Sequence, residues 1–162
     1  LMLFEFQYDF DTESLSNELL SHRDEFESYQ DDRLNDSLNN WLILRDNNSL
    51  PVLREECERF CWDFGLFKNQ VKPRYYVLER DTILPKHIDH NTRCSINHIL
   101  SDNPSQVTFD SGSYSYQTAV LDTSKLHGVD NTGCDDRLLF KLSFFDISFE
   151  RLVECLKSYS NT

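Results

Sequence analysis

The chain has 162 residues, 16 Lys and Arg against 28 Asp and Glu, and a formal net charge of −12. That length suits one ordinary domain, 1–162, burying roughly 68–70% of the surface its unfolded chain exposes. The charge disfavours a sequence-independent nucleic-acid binder, which needs clustered Lys and Arg, but leaves small anionic ligands open wherever one arginine is well placed.

The apolar runs are too short to span a membrane, and the opening LMLFEFQYDF has neither the basic start nor the small-residue cleavage site of a secretory signal. Five cysteines without a CxxC pair indicate neither a disulfide framework nor a structural zinc site. A soluble cytoplasmic protein is expected.

Residues 1–10 alternate as a half-buried strand, and Asp11 caps a short helix to about His22. The charged, Asn-rich stretch 23–40 reads as a loop or lid, and 41–44 as a strand or helix start. Ser49 before Leu50 and Pro51 opens a helix whose apolar stripe, Leu53, Cys57, Phe60, Cys61 and Phe64, runs to Gly65. Cys57 and Cys61 therefore belong to the core. From residue 72 the pattern turns to short β-type runs, at 74–80, 94–100, 106–109, 113–117, 119–122, 126–129 and 137–145, with a closing helix at 149–159. The parts are an N-terminal strand with supporting helices (1–71), a β core of sandwich or jelly-roll type (72–147) and a C-terminal helix (148–162).

The chemistry concentrates in ILPKHIDHNTRCSINHIL, residues 83–100. An H-x-D triplet alone is common by chance. On a strand, however, residues two apart share a face, so His87 and Asp89 converge while Ile88 and His90 point away. His127 in KLHGVDN can supply a third ligand, completing the histidine, carboxylate and histidine facial triad of non-haem iron oxygenases.

If GVDNTGCDD turns an antiparallel hairpin centred near Thr132, His127 and Arg137 face each other, and the guanidinium can bind a carboxylate bidentately. Arg137, Leu139, Lys141 and Ser143 then look toward the site, while Leu138, Phe140, Leu142 and Phe144 pack against another layer. By the same parity Ser95 and Asn97 face the pocket, and Cys94, Ile96 and His98 pack away from it. Asn97 is the expected co-substrate contact, with Ser95 and Tyr76 behind it.

His87-Ile88-Asp89, then His127 after 37 intervening residues, then Arg137 ten further on, resembles the 2-oxoglutarate- and Fe(II)-dependent oxygenase superfamily over residues 74–145. Within it, RCSINHIL and LHGVDNTGCDDRLLFKLSF are most similar to aspartyl/asparaginyl β-hydroxylase-like and prolyl-hydroxylase-like members. The resemblance implies a mainly β fold with flanking helices, a double-stranded β-helix of jelly-roll, cupin-like type. It also implies Fe(II) on His87, Asp89 and His127, and 2-oxoglutarate with its distal carboxylate on Arg137. Dioxygen would be consumed as 2-oxoglutarate is decarboxylated to succinate and a C–H bond is hydroxylated, on a peptide or protein side chain or a small molecule such as an amino acid. Residues that help bind the co-substrate in β-hydroxylase-like members are replaced here by Ser95 and Asn97. A cupin-like metal enzyme without 2-oxoglutarate and a non-catalytic jelly-roll interaction protein are the alternatives; neither has a use for Arg137 beside such a triad. No oligomeric state follows from the sequence.

Overall fold

A computed structural model of the protein describes residues 1–29 and 40–160. Strand β1 is Leu3–Glu5, followed by helix α1 (Thr12–Ser21), a 3-10 turn at Arg23–Glu25, β2 (Glu27–Ser28), β3 (Trp41–Leu44) and α2 (Pro51–Asp63). Then come β4 (Val71–Leu78), β5 (Ile83–His87), β6 (Cys94–Ile99), β7 (Val107–Phe109), β8 (Gly112–Tyr114), β9 (Thr118–Leu121), β10 (His127–Asp130), β11 (Arg137–Phe144) and α3 (Phe149–Ser160). The part of the expected 23–40 loop that is described is the 3-10 turn and β2, which pairs with β3; 30–39 lie outside the described residues.

Among the described residues two antiparallel sheets form, one of seven strands in the order β1-β9-β6-β11-β4-β3-β2 and one of four in the order β5-β10-β7-β8. This is the expected double-stranded β-helix. The alternation in RLLFKLSF sets its layers: Leu138, Phe140, Leu142 and Phe144 join the main apolar cluster with Leu15 and Leu19 of α1, Phe60 of α2 and Leu152 of α3. Helices thus cover the outer face of the large sheet, and Arg137, Leu139 and Lys141 look inward toward the small one. Across that interior Val107 and Phe109 of β7 pack on Ala119 and Leu121 of β9.

Three local expectations change. The opening strand is confined to Leu3–Glu5, the stretch in ladder register with β9, and one further bond from the Phe6 N–H to the Thr118 carbonyl ends the pairing. Ser49 does not cap α2: Leu50 holds the cap position, and the cap comes from α1, where the buried Glu18 carboxylate accepts N–H bonds from Val52 and Leu53, both 2.9 Å, and the Tyr75 hydroxyl at 2.9 Å. A capping group from another element satisfies the same orphan donors that a local serine would.

The third change concerns the site. Residues 127 and 137 are not hairpin partners, for β10 pairs with β5 and β7 in the small sheet while β11 pairs with β4 and β6 in the large one. The segment between them crosses from one sheet to the other, with Asn131 inserted under it and donating to the backbone carbonyls of Glu79 and Asp135. His127 and Arg137 therefore approach one cavity from opposite walls.

His98 is the packing histidine that parity predicts. Its ring lies against Phe10, Nε2 meets Thr12 Oγ1 at 2.8 Å and Nδ1 meets Thr118 Oγ1 at 2.7 Å. Desolvation by burial pushes its pKa down to about 4. A folded value below the unfolded one near 6.5 means that His98 supports the fold fully above pH 6.5 and that this support, a few kcal/mol, is lost as pH falls toward 4. NMR titration of the ring is expected to give a midpoint near 4; an ordinary midpoint near 6.5 would contradict the burial argument.

Candidate metal centre

His127 and His87 are direct cross-strand partners on β10 and β5, and their ring centroids are 4.5 Å apart. Their closeness depends on a bulge. Between the pairs His127↔His87 and Val129↔Leu84 the only residue of β10 is Gly128, set against both Pro85 and Lys86 on β5. A side chain at 128 would begin 2.7 Å from the Leu84 carbonyl oxygen, so the position needs glycine. The bulge also accommodates a proline within a paired strand.

Asp89 lies past the end of β5, in the turn leading to β6. Pleat parity, expected to bring it to His87, therefore does not act here. Instead the Asp89 backbone N–H donates to the Thr123 carbonyl at 3.1 Å, which ties this turn to the loop entering β10. His87, Asp89 and His127 each present one ligand atom, all within 4.8 Å of one another, an arrangement that can hold a metal ion.

The tautomers follow from neighbouring carbonyls, which only accept. His87 Nδ1 donates to the Pro85 carbonyl at 2.8 Å, and His127 Nδ1 to the Lys125 carbonyl at 2.7 Å. In the neutral rings both Nε2 atoms then carry lone pairs, and both face Asp89 Oδ1, at 3.1 and 3.2 Å. Three electron-pair donors aimed at one point repel unless a cation lies among them. Backbone-anchored histidines of this kind are the usual outer support of a metal site. The donor set of two imidazoles and one carboxylate suits Fe(II).

Asp89 Oδ2 accepts from Lys141 Nζ at 2.7 Å. Burial works against ionisation of Asp89, but the Lys141 ammonium outweighs it and holds the carboxyl well below the usual range. Burial likewise works against the charge of Lys141, and Asp89 reverses it, raising the ammonium's pKa. The sequence places Lys141 on the inner face but carries no sign of this partner 52 residues away.

The cavity is walled by His87 and His127 on one side and Asn97, Tyr116, Arg137 and Lys141 on the other. Its free volume is small, about 30 Å³. Arg137 is 3% exposed. Its Nη1 donates to the Ser105 carbonyl at 2.9 Å and hydroxyl at 3.0 Å, and Nη2 to the Tyr116 hydroxyl at 3.2 Å. Among the described residues no carboxylate forms an ion pair with it. Asn97 is at the wall and donates to the same Tyr116 hydroxyl at 3.1 Å, Ser95 donates to Asn97 Oδ1 at 2.8 Å, and Tyr76 stands back from the wall, stacked on Trp41. Tyr116 joins Asn97 to Arg137, and no local pattern in the sequence marks it, because the pairing of β6 with β9 brings its loop there.

No protein-family model matches the chain, and no curated protein matches its sequence. Solved structures do match its fold. A prolyl-4-hydroxylase from Pseudomonas putida superposes with a TM-score of 0.63 at 11% identity, over 89% of this chain and 92% of that one. A prolyl hydroxylase from Trichoplax adhaerens, in complex with a peptide fragment of the hypoxia inducible factor oxygen degradation domain, gives 0.64 at 12% identity, over 89% and 82%. The viral collagen prolyl hydroxylase of Paramecium Bursaria Chlorella virus-1, in a 2OG complex, gives 0.55 at 8% identity, over 90% and 95%. At such identities the likeness is one of fold: this chain is built on the same double-stranded β-helix as these prolyl hydroxylases.

Proposed function

We propose that the protein is an Fe(II)- and 2-oxoglutarate-dependent dioxygenase that hydroxylates a C–H bond of a peptide or amino-acid side chain. The observation that carries this reading is the convergence of His87 Nε2, His127 Nε2 and Asp89 Oδ1, with both imidazole tautomers fixed from behind. When bound, iron and 2-oxoglutarate would supply the oxidising chemistry, coupling decarboxylation to succinate with insertion of one oxygen atom from O2.

The chain's own residues would hold the parts. His87, Asp89 and His127 would hold the metal and leave its remaining positions for co-substrate and oxygen. Arg137 meets the distal carboxylate of 2-oxoglutarate, a role supported by its burial without a carboxylate partner among the described residues, since a buried cation favours an anionic ligand. Asn97 and Tyr116 add hydrogen bonds at that end; Ser95 orients Asn97, and Tyr76 supports Lys141 from behind. Leu84 and Leu139 give the cavity wall an apolar stretch.

Arg137 favours this reading over a cupin-like enzyme without 2-oxoglutarate, which has no use for a carboxylate anchor at that depth. A prolyl-hydroxylase-like substrate is favoured over the aspartyl/asparaginyl alternative by the fold neighbours, one of which holds a peptide. The exposed Ile88 and Leu126, beside the ligand positions at 45% and 44% exposure, offer a peptide an apolar rim. Nothing in the composition calls for nucleic acid, no described helix is long and apolar enough to cross a membrane, and the five free cysteines accord with a cytoplasmic setting.

The test is incubation with Fe(II), 2-oxoglutarate and air against a peptide library and, in parallel, a set of free amino acids. One substrate is expected to gain the mass of one oxygen atom with stoichiometric succinate. Succinate formation that no candidate couples to oxygen gain would leave the substrate class wrong, and absence of succinate throughout would remove the dioxygenase reading.

A further inference from the structure

Lys141 is the one cationic side chain in contact with the triad among the described residues, and its burial is costly. It is 8% exposed, four residues beyond Arg137 on β11 and on the same inward face, about 13 Å along the strand. Lysine is seldom buried without a specific partner. Here the ammonium spends a hydrogen bond on Asp89 Oδ2 at 2.7 Å, while the other carboxylate oxygen faces the two histidine Nε2 atoms.

We propose that Lys141 is a positioning residue of the metal centre: by holding Oδ2 of Asp89, it turns the carboxylate so that Oδ1 alone is offered to the ion. This rests on the metal-site reading above and deepens it. Asp89 needs such a hold because it sits in a turn beyond β5, where no sheet register fixes its side chain. Each histidine is oriented by a carbonyl two residues before it; the carboxylate cannot use a carbonyl, which has no proton to give, and so requires a donor. Lysine supplies one from the opposite sheet. The ammonium is held in turn: Nζ lies 5.4 Å from the centroid of the Tyr76 ring, and that ring stacks on Trp41 at 4.8 Å. A chain of contacts thus runs from β3 through β4 and β11 to the ligand. Because the ammonium contacts the far oxygen, it and a metal ion on Oδ1 do not compete for the same atom.

The test is Mn(II) binding to the purified protein, read from loss of the free-ion electron paramagnetic resonance signal, for the wild type, Lys141→Met and Lys141→Arg. Lys141→Met keeps the apolar stem and removes the donor, and is expected to weaken Mn(II) binding 10- to 100-fold, about the usual effect of losing an outer partner of a ligand. Lys141→Arg keeps a donor and is expected to recover most of the affinity, which a change in general stability would not do. Wild-type affinity in Lys141→Met, or tighter binding, overturns the positioning role and leaves the metal site standing. Equal loss in both variants also overturns it. Should Lys141→Met not fold, Lys141→Arg and Lys141→Gln decide the matter, since both retain a donor and binding far below wild type in both would contradict the proposal. No Mn(II) or Fe(II) binding by the wild type would remove the metal-site reading, and this inference with it.

Discussion

His127→Ala is expected to lower Fe(II) or Mn(II) affinity at least about 100-fold and to abolish 2-oxoglutarate turnover, with the fold retained. Losing an outer partner of a ligand already costs about 10- to 100-fold, and this change removes a ligand itself. It leaves His87 and Asp89 alone, a pair that cannot define three adjacent coordination positions. The backbone of β10 stays paired on both sides, to β5 and to β7, so circular dichroism should match the wild type. Isothermal titration with Mn(II) measures the affinity, and a well-folded His127→Ala protein that binds Mn(II) normally would show that the three side chains are not a metal site.

Arg137→Met is expected to raise the concentration of 2-oxoglutarate needed for half-maximal turnover by about 30- to 1000-fold, or 2–4 kcal/mol, with metal affinity nearly unchanged. The guanidinium is buried and already oriented by Ser105 and Tyr116, so the charge-assisted bonds it would give a carboxylate are made at little cost in side-chain entropy. Arg137→Lys keeps the charge and loses the planar fork, and should fall between the two. Because Arg137 also ties down the backbone at Ser105, Arg137→Met is expected to lose some stability, which thermal unfolding reports separately. Equal co-substrate requirement in the wild type and Arg137→Met would place the carboxylate elsewhere, with Lys141 the next cation in the cavity.

The parts of the site legible in the sequence are those written in local periodicity. Alternation along RLLFKLSF separates Arg137 and Lys141 from Phe140 and Phe144, because a pleated strand sends neighbours to opposite faces whatever it pairs with. The same rule places Asn97 inward and sets His98 among Phe10, Thr12 and Thr118. What escaped the sequence depends on pairing between distant segments. The spacing of His127 and Arg137 looks like a hairpin, yet the chain changes sheets between them, since closing the interior of a β-helix needs strands that alternate between two layers. Lys141 meets Asp89, Tyr116 meets Arg137, and Glu18 caps α2, each through contacts that no local pattern encodes.

The most direct measurement is anaerobic addition of Fe(II) and then 2-oxoglutarate to the protein, followed by admission of air. The wild type is expected to develop a visible metal-to-ligand charge-transfer band that requires both additions, and to release succinate when oxygen enters; His127→Ala is expected to do neither. A wild type that shows no band and forms no succinate in air would contradict the assignment of His87, Asp89 and His127 as an iron site that works with 2-oxoglutarate.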